Sequence, residues 1–102
     1  MGYYNIRYFL LEFNQEGNYD VIGSFSHMPF ARKKAKEQIE FNKVVWGYSE
    51  GITICTDKHI RYYVSADGNE YRYASKTKLK DKHIDAINAY HKKRTSLLKQ
   101  LS

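Results

Sequence analysis

The sequence predicts an α+β fold, an antiparallel sheet of four to five strands with two helices in the order ββ-α-ββ(β)-α. Three observations predict it. Short segments rich in Tyr, Phe, Ile and Val are bounded by Gly, Asn and Asp and read as strands. Two longer stretches carry apolar residues at helical spacing. Asp67-Gly68 lies between two alternating segments and marks a hairpin. With 102 residues, the chain forms one domain over 1–102, large enough for a modest core without metal or disulfide.

Each element follows from local chemistry. Tyr3 to Phe13 reads as a strand whose apolar phase runs Tyr4, Ile6, Tyr8, Leu10 and then shifts to Phe9, Leu11, Phe13. That shift calls for a bulge or for burial on both faces near Phe9. Asn14 to Asn18 turns the chain, and Tyr19 to Phe25 returns as the second strand. Ser26-His27-Met28-Pro29 starts a helix, because proline is tolerated in the first turn. This helix is expected to run to about Lys43, burying Ala31, Ala35, Ile39 and Phe30. Val44 to Tyr48 and Ile52 to Thr56 read as short strands or one interrupted strand.

His59 to Ser65 and Glu70 to Ala74 flank the Asp-Gly tip. A two-residue turn there pairs Val64 with Tyr71, Tyr63 with Arg72, Tyr62 with Tyr73 and Arg61 with Ala74. One face is then apolar, and the other carries Arg61, Tyr63 and Arg72. The last helix spans about Lys80 to Leu101, with Asp81 favouring its start and Ile84, Ile87, Tyr90, Leu98 and Leu101 on one side. Both helices are expected on one face of the sheet.

Charge is unevenly placed. Residues 1–75 hold nine Lys/Arg and nine Asp/Glu, whereas residues 76–102 hold eight basic residues against Asp81 and Asp85. The net charge of +6 thus belongs to the basic C-terminal helical segment, which suggests an anionic partner. No apolar run approaches the roughly 20 residues of a membrane span. A single cysteine, Cys55, forms no intramolecular disulfide and fits a reducing, cytoplasmic setting. The Met1-Gly2-Tyr3-Tyr4 start lacks the features of a secretory signal. The heavy use of Lys, Ile, Asn, Tyr and Phe suits an AT-rich genome such as that of a phage or mobile element.

The candidate contacts are cationic and aromatic. Arg32, Lys33 and Lys36 lie near the start of the first helix, where backbone N–H groups attract anions. Arg61, Tyr63 and Arg72 would set a ring between guanidinium groups, suited to stacking single-stranded bases. Lys92, Lys93 and Arg94 lie on the last helix, where Lys92 and Lys93 have no acidic residue three or four positions away. His27, His59, His83 and His91 show no ligand spacing, so neither metal nor cofactor is expected. Cys55 lacks an activating context and no catalytic residue is assigned.

Gly2-Tyr3-Tyr4, followed by Val21-Ile22-Gly23-Ser24 and helical Arg32, loosely resembles the GIY-YIG nucleases. The resemblance implies a metal-bound Glu, for which Glu50 and Glu70 are the candidates. Val21 replaces the second motif's tyrosine and the motifs are widely spaced, so the assignment does not rest on it.

The sequence therefore leads to a small, basic, non-enzymatic module that contacts DNA or RNA through phosphates. The alternative is a protein-interaction module, such as a phage or mobile-element modulator that inhibits a host protein by binding an acidic surface. Leu97, Leu98 and Leu101 leave a homodimer through the C-terminal helix open.

Overall fold

The computed structural model describes residues 6–101. Five strands form one antiparallel sheet: β1 (Tyr8–Phe13), β2 (Tyr19–Phe25), β3 (Ile52–Cys55), β4 (Ile60–Val64) and β5 (Glu70–Arg72). Their spatial order is β2-β1-β3-β4-β5. Helix α1 (Met28–Trp46) links β2 to β3, and α2 (Asp81–Leu101) ends the chain. This is the α+β architecture and element order expected. Tyr3 and Tyr4, assigned to the first strand, lie outside the described residues.

The helices pack on opposite faces of the sheet, not on one. Successive strand residues point to opposite sides, and β1 is buried on both: Phe9, Leu10 and Leu11 are all nearly inaccessible. Leu10 joins Ile52, Ile54 and Val64 under Ala31, Ala35 and Ile39 of α1. Phe9 and Leu11 join Cys55 beneath Ala86 and Ile87 of α2. The two parities of β1 thus feed two cores, which explains the phase shift in its sequence. The β1–β2 pairing also shifts register between Leu10 and Leu11, leaving Ile22 as the extra residue on β2.

Helix α1 runs past Lys43 to Trp46, so Val44 to Trp46 are helical and not a strand. The stop signal is Gly47, whose left-handed φ of 81° lets its N–H donate to the Lys43 carbonyl. Phe30 does not join the buried stripe. It is exposed and meets Phe25 edge-on, with centroids 5.5 Å apart. On α2, Ile87 is buried and Tyr90 packs beside it, whereas Ile84 and Leu98 are exposed. His83 fills the stripe instead. Its Nδ1 accepts the Lys80 N–H at 3.0 Å, covering one of the orphan donors at the helix start. Burial lowers the His83 pKa, favouring the neutral ring this bond requires.

The β4–β5 hairpin is shifted by one residue from the expected register. Val64 pairs with Glu70, Tyr63 with Tyr71 and Tyr62 with Arg72. The loop holds three residues: Gly68 N–H donates to the Ser65 carbonyl, Ser65 N–H donates to the Asn69 carbonyl, and Gly68 has φ 85°. A three-residue loop ending in a left-handed glycine accepts Asp-Gly as readily as a two-residue turn does. The one-residue slip sends every β5 side chain to the other face. Glu70 and Arg72 therefore face the α1 side, while Tyr71 lies with Tyr63 on the α2 side.

Gly51 is a point of close approach. A Cβ there would overlap the Tyr63 hydroxyl and lie 2.6 Å from the Val64 carbonyl oxygen. Gly51→Ala is expected to cost about 1–3 kcal/mol through overpacking, read from urea denaturation. Adding Tyr63→Phe should recover only part of the loss, because the backbone clash remains.

Candidate functional site

The end of α1 exposes a concentration of large apolar side chains. Phe41, Val44, Val45, Trp46 and Tyr48 all face solvent, with Val44 at 84 % and Trp46 at 71 % exposure. The helix reaches this length because Gly47 is its first effective stop, so Val44 to Trp46 extend past the Ala31, Ala35, Ile39 stripe that α1 buries. Beside them lies a cleft of about 320 Å³, lined by Glu12, Phe13, Asn42, Trp46, Tyr48 and Glu50 among others. Asn42 is buried at its back. The Asn42 Nδ2 donates to a Glu12 carboxylate oxygen, and its Oδ1 accepts from Gln38 Nε2 at 2.9 Å. Glu12 is thereby held from behind by a chain of amides.

The nine residues expected to contact nucleic acid fall in three places. Arg32, Lys33 and Lys36 are on α1, and Arg72 faces the same side from β5. Arg61 and Tyr63 lie on the opposite, α2 face, while Lys92, Lys93 and Arg94 lie on α2 itself. The predicted Arg61, Tyr63, Arg72 face is divided, because the register slip moves Arg72 to the other side. The sheet therefore separates the cations into groups instead of gathering them into one surface.

The α1 group is also partly occupied. Arg32 Nε and Nη2 donate to the two Glu70 carboxylate oxygens at 2.6 and 2.9 Å. Lys36 adds a contact to Glu70 at 3.4 Å, and the Arg32 guanidinium lies 4.9 Å above the Tyr62 ring. The Arg32 hydrogen bond leads in holding the Glu70 carboxyl down at about 2, against the partial burial that opposes it. Glu70 is thus engaged by cations of its own chain. Of the nuclease-like motif, Gly2, Tyr3 and Tyr4 lie outside the described residues.

The α2 face is covered unevenly. Helix α2 packs chiefly on β2 and β1 and reaches β3 at Cys55. Over the rest of that face, Tyr63 and Tyr71 lie with ring centroids 6.4 Å apart, above buried Thr53. Burial, then the neighbouring Glu50 carboxylate, raises the Tyr63 pKa. Beyond Tyr90, residues 91–100 of α2 are all exposed. Arg94 Nη1 donates to the Tyr90 hydroxyl at 3.2 Å. Cys55 is fully buried, and burial pushes its thiol up to about 12, so it is protonated at neutral pH. Among the described residues, no group of three or more His, Cys, Asp or Glu side chains could hold a metal ion. No described helix is long and apolar enough to cross a membrane.

No family model, curated protein or solved structure matches the chain. The chemistry of these surfaces alone carries a functional reading.

Sequence reasoning missed the α1 end because it assigned Val44 to Tyr48 to a strand. The signal was present in Gly47, a helix-stopping residue placed after Lys43, Val44, Val45 and Trp46 continue the helical run.

The Arg32–Glu70 clamp predicts a pH dependence. Glu70 has a folded-state pKa depressed from 4.5 to about 2, so its stabilisation is complete above 4.5 and disappears as pH falls through 2. Glu70→Gln is expected to cost about 1–2 kcal/mol at neutral pH, discounted for the partial exposure of Arg32. Urea midpoints of wild type and variant should converge as pH approaches 2.

Proposed function

We propose that the chain is a non-enzymatic protein-interaction module whose docking surface is the C-terminal end of α1. The observation that carries this reading is the exposure of Phe41, Val44, Val45, Trp46 and Tyr48 within one short stretch. Burying a Val, Leu or Phe side chain is worth about 1.5–3 kcal/mol, so large apolar side chains left exposed along one short segment stand to gain from burial against a partner. Trp and Tyr are also the residue types that dominate interface anchors. The division of the cations between faces weakens the rival reading in which one basic surface grips a phosphate backbone.

The docking reading is tested by retention from a lysate of the cells to which the chain is native. A stoichiometric protein should be held by wild type and by a Lys92→Glu/Lys93→Glu variant. Val44→Lys should lose it by about tenfold, the expected effect of removing one well-buried apolar contact. Retention indifferent to Val44→Lys, or governed instead by Lys92 and Lys93, overturns the proposal. Val44 is nearly fully exposed, so its replacement leaves the fold intact.

A second reading, nucleic-acid binding by the free end of α2, is favoured by a separate observation. Arg32 and Lys36 pair with Glu70 on β5, and Lys34 and Lys43 pair with Glu37 and Glu40 within α1, whereas Lys92, Lys93 and Arg94 form no ion pair among the described residues. On this reading, fluorescence anisotropy with labelled single-stranded oligonucleotides shows affinity falling steeply between low and moderate salt. Lys92→Glu/Lys93→Glu should reduce the log–log salt slope by about 1.4, roughly 0.7 per lost phosphate contact. A salt-independent affinity, or an unchanged slope, excludes it.

A further inference from the structure

We propose that the cleft at the end of α1 receives the guanidinium group of an arginine side chain carried by the partner protein. This rests on the reading of the α1 end as a docking surface and specifies what anchors there. The cleft combines two carboxylates, Glu12 and Glu50, with three aromatic side chains, Phe13, Trp46 and Tyr48. No Lys or Arg lines it, although the chain as a whole carries a charge of +6. The local chemistry is therefore opposite in sign to the molecule around it and complementary to a cation.

The type of cation follows from the walls. A metal ion needs more oxygen or nitrogen ligands than two carboxylates supply, and no group of three such ligands occurs among the described residues. Aromatic faces attract organic cations through the ring quadrupole. Guanidinium is planar and weakly hydrated, stacks on rings and forks onto a carboxylate, whereas ammonium is compact and strongly hydrated. A volume of about 320 Å³ suits one long side chain.

Glu12 is prepared for this role. Asn42, buried and tied to Gln38, donates to one of its carboxylate oxygens. A carboxylate has about four acceptor positions, so one bond from behind orients the group and leaves capacity for a donor from the cleft. Glu50 also lines the cleft, from the segment that follows Tyr48 and Ser49. Val44 and Val45 immediately precede Trp46 in α1 and are exposed, outside the lining of the cleft itself.

The chain's only tryptophan, Trp46, lines the cleft and reports on it directly. Titration with N-acetyl-arginine amide should give a saturable change in Trp46 fluorescence with Kd of about 1–10 mM, the range open to so small a ligand. The neutral isostere N-acetyl-citrulline amide should bind at least about tenfold more weakly, and the lysine derivative several-fold more weakly. Glu50→Gln, at an exposed position, should weaken arginine about tenfold. Glu12→Gln should do the same, with its circular dichroism and urea midpoint compared with wild type to verify the fold. An equal response to citrulline, an equal affinity for lysine, or no saturable response overturns the assignment. Val44→Lys lies outside the lining and should leave the arginine titration unchanged while weakening partner retention about tenfold. A failed titration with Val44-dependent retention intact removes the arginine anchor alone. Loss of both removes the docking reading as well.

Discussion

Burial of β1 on both faces is the constraint from which the rest of the molecule follows. Phe9, Leu10 and Leu11 are consecutive, each apolar and each nearly inaccessible. Their side chains must alternate across the sheet, so neither face can be left to water. One helix cannot cover both, and α1 and α2 settle on opposite sides. Arg32, Lys33 and Lys36 are thereby separated by the sheet from Lys92, Lys93 and Arg94. The distribution of charge is a consequence of how three core residues are arranged.

The second constraint is the geometry of the β4–β5 loop. Gly68 at φ 85° closes a three-residue loop and turns Glu70 toward α1. Glu70 then meets Arg32 and Lys36, fastening the short edge strand to the helix through charge-assisted bonds. The same register places Tyr71 beside Tyr63, and the rings cover the part of the α2 face that α2 does not reach. With the loop one residue shorter, Tyr71 would have joined the α1 core and Glu70 would have lacked its partners. A salt bridge, an aromatic layer and the split of Arg61 from Arg72 all descend from one glycine.

These two constraints also explain what was legible in the sequence. Element types and order were readable because strand alternation, Pro29 and the Asp-Gly tip are local signals. β2 was placed at Tyr19–Phe25 because the flanking Asn18 and Ser26 break the pattern cleanly. The Ala31, Ala35, Ile39 stripe likewise declares its buried face. Register was less accessible, since Asp67-Gly68 serves two loop lengths with nearly equal ease. The placement of the helices was hidden, although the double phase of β1 already contained it. Val44-Val45-Trp46 misled for a physical reason. β-branched and aromatic residues favour strands in isolation, and only the left-handed Gly47 that follows shows that the helix continues through them. The apolar surface, the strongest feature of the folded chain, was obscured by that choice.

Segregation of sign and polarity is the last step. The chain carries excess positive charge, yet the exposed Trp46 and Tyr48 share a cleft with the Glu12 and Glu50 carboxylates. An approaching protein with a mixed surface therefore meets two different environments. Long-range fields from the α2 cations attract its acidic regions and fade within a Debye length, about 8–10 Å at ordinary salt. Short-range burial at the α1 end rewards an apolar patch, and the carboxylates within the cleft reject a like charge at its centre. On the proposed docking reading, steering and docking reside on different parts of the molecule. A partner satisfying both has an acidic flank and a cation set within an apolar neighbourhood. The first affects the rate of encounter and responds to salt, while the second governs residence time and is largely insensitive to it.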